Sequence, residues 1–127
     1  MQGMHLYEYA VIRVVPSVER EEFLNIGVIL FSKRAKFIHI LYHIDKEKIT
    51  HFSRDVDFDL LQSNLDSFSK IAKGDKEGGV IAGMDIPERF RWLTAMKSAC
   101  IQTSRPHSGF SGDLLKTTEK LFEELVL

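Results

Sequence analysis

The sequence is poor in cysteine, because Cys100 is the only one among its 127 residues. A single cysteine excludes an intrachain disulfide and a zinc site built from several thiolates. No apolar run approaches the roughly 18 residues that indicate a transmembrane helix. The first residues also lack the basic and then apolar pattern of a signal peptide. These absences predict a soluble protein of the reducing cytoplasm.

An excess of charge of either sign is also missing. The chain has 17 basic and 18 acidic residues, which gives a formal net charge of −1. This balance argues against the strongly positive field that marks many nucleic-acid-binding proteins. The basic cluster Lys33, Arg34 and Lys36 leaves a nucleic-acid contact as a minor alternative, although its simplest role is to keep a hairpin soluble.

The composition, with 44% hydrophobic and 28% charged residues, is that of one soluble globular domain over residues 1–127. Its first half is typical of a sheet. Residues 7–16, 26–31 and 36–44 are rich in Val, Ile, Phe and Tyr and predict three strands. The charged segment 17–25 between the first two predicts a turn or a short helix, with Phe23 and Leu24 directed inward.

The second half is typical of helices. Asp57 can cap a helix with apolar residues at three- and four-residue spacing, and Gly74 can end it. Asp85 begins a capping-box pattern ahead of a second helix over residues 86–97. Asp113 can cap a third and last helix.

Residues 99–103 predict a short extended piece between the second and third helices. The fold class is therefore α+β, with a small, mostly antiparallel sheet of three to four strands packed with about three helices. The strand over residues 26–31 is apolar on both sides, so both sheet faces need a cover. Either the third helix or a partner covers the second face.

Several residues could bind metal or phosphate, but a structural interpretation is favoured for each. His39 and His43 have helical ligand spacing, yet they lie in a predicted strand, where four residues span about 13 Å. We therefore predict no metal site. Four of the glycines lie between residues 74 and 83 without the lysine and Ser/Thr of a P-loop, which favours a flexible connection.

Two arginines are better candidates for binding. Arg89 precedes Trp92 by three residues and Leu93 by four, which places it on the inward face of its helix. Arg13 shares a strand face with Tyr9 and other large side chains. Burial of either charge requires an acceptor, and this acceptor is either an internal carboxylate or carbonyl, or an anionic ligand.

The segment 98–113 concentrates small polar residues around one histidine. Within an extended piece, Ser98, Cys100, Gln102 and Ser104 share one face, and His107 follows Pro106. His107 could act as a general acid or base, and Cys100 could act as a nucleophile. The alternative, which we favour, is that Asp113 caps its helix while Ser104 and His107 brace a long loop.

The motifs YEYAVIRVVPSVEREEFLNIGVILF, ERFRWLTAMKSACIQTS and PHSGFSGD resemble a bacterial family of small single-domain proteins, domain of unknown function 3037. The resemblance extends from Tyr7 to about Val126. No established activity accompanies the resemblance. It implies a protein partner, because members of this family are often encoded beside HipA-like kinases. The family-like positions are Arg13, Pro16, Asn25, Gly27, Arg89, Phe90, Trp92, Ser98, Gln102, His107 and Asp113.

Two functions follow as hypotheses. The first is a binding or regulatory module that acts through a protein partner, with a HipA-like kinase as the candidate. The second is an enzyme or pocket for a phosphorylated or nucleotide-like small molecule, with Arg13 and Arg89 binding the anion and His107 as the catalytic residue. Both hypotheses place Arg13, Arg89 and His107 around one cavity, and neither hypothesis requires a cofactor. The predicted binding residues are Arg13, Asn25, Arg89, Trp92, Ser98, Gln102, Ser104, His107 and Asp113.

Overall fold

The computed structural model describes residues 3–17, 22–95 and 100–127. The described residues form one five-stranded antiparallel sheet and four α-helices, which confirms the α+β class with slightly more strands than predicted. The strands are β1 (His5–Ser17), β2 (Glu22–Ser32), β3 (Phe37–Tyr42), β4 (Ile101–Thr103) and β5 (His107–Ser111). The helices are α1 (Lys46–Phe52), α2 (Phe58–Lys73), α3 (Ile86–Ala95) and α4 (Leu114–Leu125).

The sheet is organised around the long strand β1. The order is β3-β2-β1-β4, and β5 also pairs with β1. β4 pairs with residues 12–14 of β1, whereas β5 pairs with residues 5–9. β4 and β5 therefore follow one another along the same edge of β1, opposite the edge taken by β2.

One face of the sheet packs against α2 and α3. Alternation along β1 directs Ala10, Ile12 and Val14 to this face, where all three are fully buried. They form one cluster with apolar residues of α2 and α3, such as Phe68 and Phe90. Full burial of a Val, Ile, Leu or Phe side chain contributes about 1.5–3 kcal/mol, so this layer supplies much of the stability.

The other face packs against α4. The odd-numbered residues Val11 and Val15 of β1 are buried outside the first cluster, as are Val28 and Leu30 of β2. α4 contacts β1, β2 and β3. The last helix therefore packs on the second sheet face, which is the first of the two predicted options.

The caps of α2 agree with the sequence. The Asp57 carboxylate accepts a hydrogen bond from the backbone N–H of Leu60 at 3.0 Å. Gly74 ends the helix in the left-handed conformation, with φ of 71°. Here the periodicity and both end signals coincide, and the predicted boundaries are confirmed.

Three segments differ from the prediction. β2 begins at Glu22, so the end of segment 17–25 is strand and Phe23 is exposed instead of directed inward. Residues 107–111 form β5 and not a loop, and α1 was not predicted. Residues 96–99, at the predicted end of the second helix, lie outside the described residues. No helix of the described chain combines the length and apolar character needed to span a membrane.

Candidate functional site

Three of the predicted binding residues lie side by side across three strands. Arg13 of β1 is the register partner of Asn25 of β2 and of Gln102 of β4. Directly opposite residues in a sheet project to the same face. This is the α4 face, because Asn25 Nδ2 donates a hydrogen bond to the backbone oxygen of Leu125 at 3.1 Å.

The guanidinium of Arg13 lies over an aromatic ring. Its Cζ is 4.0 Å from the ring centroid of Phe23, which is a cation–π geometry. Among the described residues, the buried Arg13 Nε and Asn25 Oδ1 have no hydrogen-bond partner. Arg13 Nε can therefore donate a hydrogen bond, and Asn25 Oδ1 can accept one. A water molecule could bridge the two atoms, or a ligand could bind them.

Ser104 and His107 lie on the same edge of β1, and the geometry gives Ser104 a structural role. Ser104 Oγ accepts a hydrogen bond from Val11 N at 2.8 Å, and Ser104 N donates to Val11 O at 2.8 Å. The side chain thereby replaces a backbone acceptor at the break between β4 and β5. It joins two short strands into one continuous edge.

His107 is exposed and is the register partner of Tyr9 in β1. The two ring centroids are 5.4 Å apart. Tyr9 alternates with the core residue Ala10, so both rings lie on the α4 side of the sheet. His107 therefore shares a sheet face with Arg13, Asn25 and Gln102.

Arg89 is not on this face. It is 9% exposed, and its Nη1 donates hydrogen bonds to the carbonyl oxygens of Ala72 at 3.1 Å and Ile71 at 3.4 Å. These carbonyls belong to the last turn of α2, where a helix lacks internal donors and a cation is favourable. The acceptor that the sequence required for Arg89 is thus the C-terminus of α2.

The sheet consequently separates the residues that were predicted to gather around one hollow. Arg89 lies in the α2 and α3 layer, whereas Arg13 and His107 lie on the α4 side. Arg13, Arg89 and His107 therefore do not line one common cavity. The physical reason is that Arg89 is held by backbone carbonyls within its own layer.

The remaining predicted residues have separate locations. Trp92 is 41% exposed on α3. The Asp113 carboxylate accepts a hydrogen bond from Lys116 N at 3.0 Å and caps α4, as the structural alternative states. Cys100 is partly buried against the core, and its sulfur accepts a hydrogen bond from Asn64 Nδ2 at 3.1 Å. Ser98 lies outside the described residues.

The two histidines with helical ligand spacing are separated by strand geometry. His39 lies in β3, and His43 follows the end of that strand. Burial lowers the pKa of His39 below its usual value; the nearby Glu119 opposes this shift and Lys73 reinforces it. In the ranges that the structure describes, no group of three or more His, Cys, Asp or Glu side chains is arranged to hold a metal ion.

The structure also contains a surface that the sequence did not predict. Leu6 of β1 and Phe110 of β5 are register partners, and they are 52% and 55% exposed. Met4, 40% exposed, lies beside them. These residues line a groove of about 410 Å³, which we call the apolar groove. Its lining is Met4, Leu6, Tyr7, Glu8, Phe31, Lys33, Arg34 and Phe110.

The apolar groove lies on the same sheet face as α2 and α3. Leu6 and Glu8 continue the even-numbered row of β1 that includes Ala10. The groove adjoins α3, because Phe31 also contacts Phe90 with a centroid distance of 4.3 Å. The helical layer therefore stops short of the β1 and β5 corner, and large apolar side chains remain in solvent there.

Charges lie at one end of the apolar groove. Lys33 and Arg34, in the turn between β2 and β3, are exposed. Within the described part of the chain, neither makes an ion pair. Glu8 lies nearer the middle, as the register partner of Phe31. Two cations at one end and one carboxylate in the middle give the groove an electrostatic polarity.

A second cavity, of about 310 Å³, lies near the end of α4. Its lining includes Asn25, His43, Asp45 and Lys48 beside apolar residues such as Ile49. Asp45 already accepts a hydrogen bond from the backbone N–H of Lys48 at 3.1 Å and caps α1. The polar groups at this cavity are thus partly committed to local structure.

Comparison with known proteins identifies a family for most of the chain. No curated protein and no solved structure matches the chain. Residues 9–126 match the sequence model of a family described as "Protein of unknown function (DUF3037)". This match spans all five strands and all four helices of the described chain, with the first residues of β1 outside it. The chain therefore belongs to the DUF3037 family.

Proposed function

We propose that this protein is a binding or regulatory module that acts through a protein partner, and that the apolar groove is its docking surface. The observation that supports the proposal is the exposure of Leu6 and Phe110, which are register partners and each more than half accessible. Contiguous exposed apolar side chains with charged groups at their border are typical of protein interaction sites.

Covering this surface would make a measurable contribution to the free energy of binding. Full burial of a Leu, Met or Phe side chain contributes about 1.5–3 kcal/mol. About half of that remains to be gained at Leu6, Phe110 and Met4, so covering all three contributes roughly 3 kcal/mol. A change of this size alters a dissociation constant about a hundredfold.

A HipA-like kinase is the first partner to test. The family resemblance implies this partner, whereas the apolar groove supports a protein partner of any identity. The identity of the partner and the use of the apolar groove can be tested separately, because a complex that forms through Phe110 need not contain the kinase. The partner is therefore best identified without assuming what it is.

Co-purification from the native host at moderate salt, followed by mass spectrometry, tests the proposal. We expect a stoichiometric companion with the unaltered chain and its loss with Phe110→Ser. Leu115→Ser is the matched control, since Leu115 is 46% exposed on α4 and lies outside the apolar groove. A protein that elutes alone, or a companion that Phe110→Ser retains, contradicts the proposal.

A second candidate function is the binding of a phosphorylated or nucleotide-like small molecule on the α4 side of the sheet. It is favoured by the buried Arg13 Nε without a partner and by the aromatic contact of His107 with Tyr9 on the same face. Because Arg89 is committed to α2, Arg13 would bind the anion without it. An increase in melting temperature with ATP that Arg13→Gln abolishes supports this candidate, and no shift with ATP or phosphate contradicts it.

A further inference from the structure

A single cation lies in the sheet. Arg13 is the only lysine or arginine in the five strands of the described chain. The residue is partly buried, and in the parts of the chain that the structure describes its guanidinium forms no ion pair and no hydrogen bond. Partial removal of a charge from water without a counter-ion is unfavourable. The guanidinium is therefore available to an anion from outside the chain.

A β-bulge shapes the surroundings of Arg13. The pairing of β1 with β2 shifts register directly after Ile12, so that Arg13 pairs with Asn25 and Ile26 is left out of the pairing. Beyond the bulge the alternation of β2 is reversed, which places Phe23 and Asn25 on the same face as Arg13. An uninterrupted register would instead place the apolar Ile26 opposite Arg13. Bulges often lie next to functional sites, where they redirect side chains.

Phe23 contacts the central carbon of the guanidinium and leaves the terminal nitrogens free. The Arg13 Cζ atom is 4.0 Å from the ring centroid of Phe23. The Nε atom is buried, whereas the two Nη atoms, which have no partner in the described chain, remain accessible to solvent. The parallel N–H groups at the edge of a guanidinium match the two oxygens of a carboxylate. Contact of the guanidinium with an aromatic ring is compatible with such an ion pair.

Gln102 supplies a second donor beside Arg13. It is the register partner of Arg13 in β4, and it is partly buried. Its side-chain amide makes no hydrogen bond within the described residues. Directly opposite residues in an antiparallel pair have Cβ atoms about 4.5–5.5 Å apart and project to the same face. The amide of Gln102 can therefore donate a hydrogen bond to an anion that Arg13 binds.

The charge of the site favours a carboxylate over a phosphate. One guanidinium neutralises the single charge of a carboxylate, whereas a phosphate monoester carries a charge of about −1.5 to −2 at neutral pH. The described strands contain no second lysine or arginine that would compensate the difference. His107 pairs with Tyr9, four residues along β1 from Arg13, and this distance of about 13 Å prevents contact with the same small anion. A carboxylate is therefore the anion that this site fits best.

We propose that Arg13 and Gln102 form a binding site for a carboxylate group on the α4 side of the sheet. Arg13 contributes the charge and the Nη donors, Gln102 contributes a further donor, and Phe23 holds the guanidinium in place. Carboxylates occur in small organic acids and at the C-terminus of a peptide, so the experiment separates these two sources. The inference goes beyond the proposed function, because Arg13 and the apolar groove lie on opposite faces of the sheet.

NMR titration of the full-length, 15N-labelled protein tests this inference, with the backbone amide signals and the Arg13 Nε–H signal as readouts. The first ligand is N-acetylglycine, which carries a carboxylate, and N-acetylglycinamide is its neutral control. Inorganic phosphate is the competing anion. A short peptide with a free C-terminus, compared with the same peptide in amidated form, shows whether the carboxylate belongs to a peptide or to a small acid.

We expect N-acetylglycine to shift the signals of Arg13, Asn25 and Gln102, and N-acetylglycinamide to leave them unchanged. Arg13→Gln should abolish this binding, and Arg13→Lys, which keeps the charge but lacks the planar fork, should weaken it about tenfold. Gln102→Ala should weaken binding about threefold. Arg91→Gln, on the exposed side of α3, should have no effect. Tighter binding of the free peptide than of N-acetylglycine identifies a peptide as the source, whereas equal affinities identify a small acid.

Equal shifts with N-acetylglycine and N-acetylglycinamide would overturn the inference, as would an unchanged affinity of Arg13→Gln. Absence of a shift with every carboxylate would exclude the site. Tighter binding of phosphate than of N-acetylglycine and the free peptide would also overturn the inference, and it would favour the second candidate function. None of these results bears on the proposed function, which Phe110→Ser tests on the opposite face of the sheet.

Discussion

The replacement Arg89→Met tests whether this buried arginine stabilises α2 or serves a ligand. The hydrogen bond from Nη1 to Ala72 O, at 3.1 Å, links a charged donor to a carbonyl and contributes about 1.5–3 kcal/mol. The longer bond to Ile71 O, at 3.4 Å, adds little. A cation at a helix C-terminus contributes about 0.3–1 kcal/mol more. Burial of the apolar methionine returns about 1 kcal/mol. The expected net loss of unfolding free energy is about 1–3 kcal/mol.

Urea unfolding of the wild type, Arg89→Met and Arg91→Met measures this loss. Arg91 lies on the exposed side of the same helix, so its replacement should change the free energy of unfolding by less than about 0.5 kcal/mol. An Arg89→Met protein as stable as the wild type would refute the structural role. Equal stability is expected if Arg89 is retained to bind a ligand, because burial of its charge would then lower the stability of the unliganded protein.

Gly74 offers a second test of the same contact. A Cβ atom at Gly74 would lie 2.6 Å from Arg89 Nη1, and the residue has a φ of +71°. Gly74→Ala therefore costs about 1–2 kcal/mol for the left-handed backbone and displaces the guanidinium as well. In the Arg89→Met background only the backbone cost remains. The double mutant should be more stable than the sum of the single mutants by about 0.5–2 kcal/mol, and strict additivity would contradict the contact.

Three further predictions concern single side chains. Asp113→Ala should lower the unfolding free energy by about 1 kcal/mol. Asp113→Asn should lower it much less, because both Asp and Asn cap helices well. Equal losses for the two variants in urea unfolding would exclude the capping role. Burial, together with the nearby Tyr9, raises the pKa of Tyr7. Folding stability should therefore fall as pH rises through about 10. Tyr7→Phe should remove this dependence, as measured by urea unfolding at alkaline pH. Burial lowers the pKa of His39, so its contribution to folding stability should be fully present above about pH 6.5 and should fall at lower pH. His39→Gln should reduce the dependence of the unfolding free energy on pH in this range. An unchanged dependence would contradict the burial of His39.

Elements with coincident local signals were predictable from the sequence. The apolar spacing of α2 agrees with a capping aspartate at one end and Gly74 at the other, so local and tertiary preferences lead to the same helix. β5 was missed because its sequence, HSGFS, has two serines and a glycine and lacks the β-branched residues that identify a strand. It forms because β1 offers an unpaired edge, which no local pattern reveals. A side chain at Gly109 would clash with the Tyr7 ring, its Cβ being 2.6 Å from Tyr7 Cζ, so this glycine permits the cross-strand contact.

The candidate site was predictable only where it depends on strand alternation. Arg13, Gln102 and His107 do share one face, as pattern and register require. The position of Arg89 on the inner side of its helix was also correct, but its partner is distant in sequence, so the carbonyls of α2 could not be inferred. The apolar groove has no sequence signal, because alternation places Leu6 on the core side. Only the three-dimensional extent of the α2 and α3 layer shows that Leu6 and Phe110 are left uncovered.

The central claim is that Phe110 contacts a protein partner, and a photo-cross-linking amino acid at position 110, introduced in the native host, tests it most directly. We predict one covalent adduct of defined mass, whose cross-linked partner residue lies in a single short segment. The same amino acid at position 115, where Leu115 is 46% exposed but lies outside the apolar groove, should give no adduct. An adduct of equal yield at both positions, or none at position 110, would contradict the account.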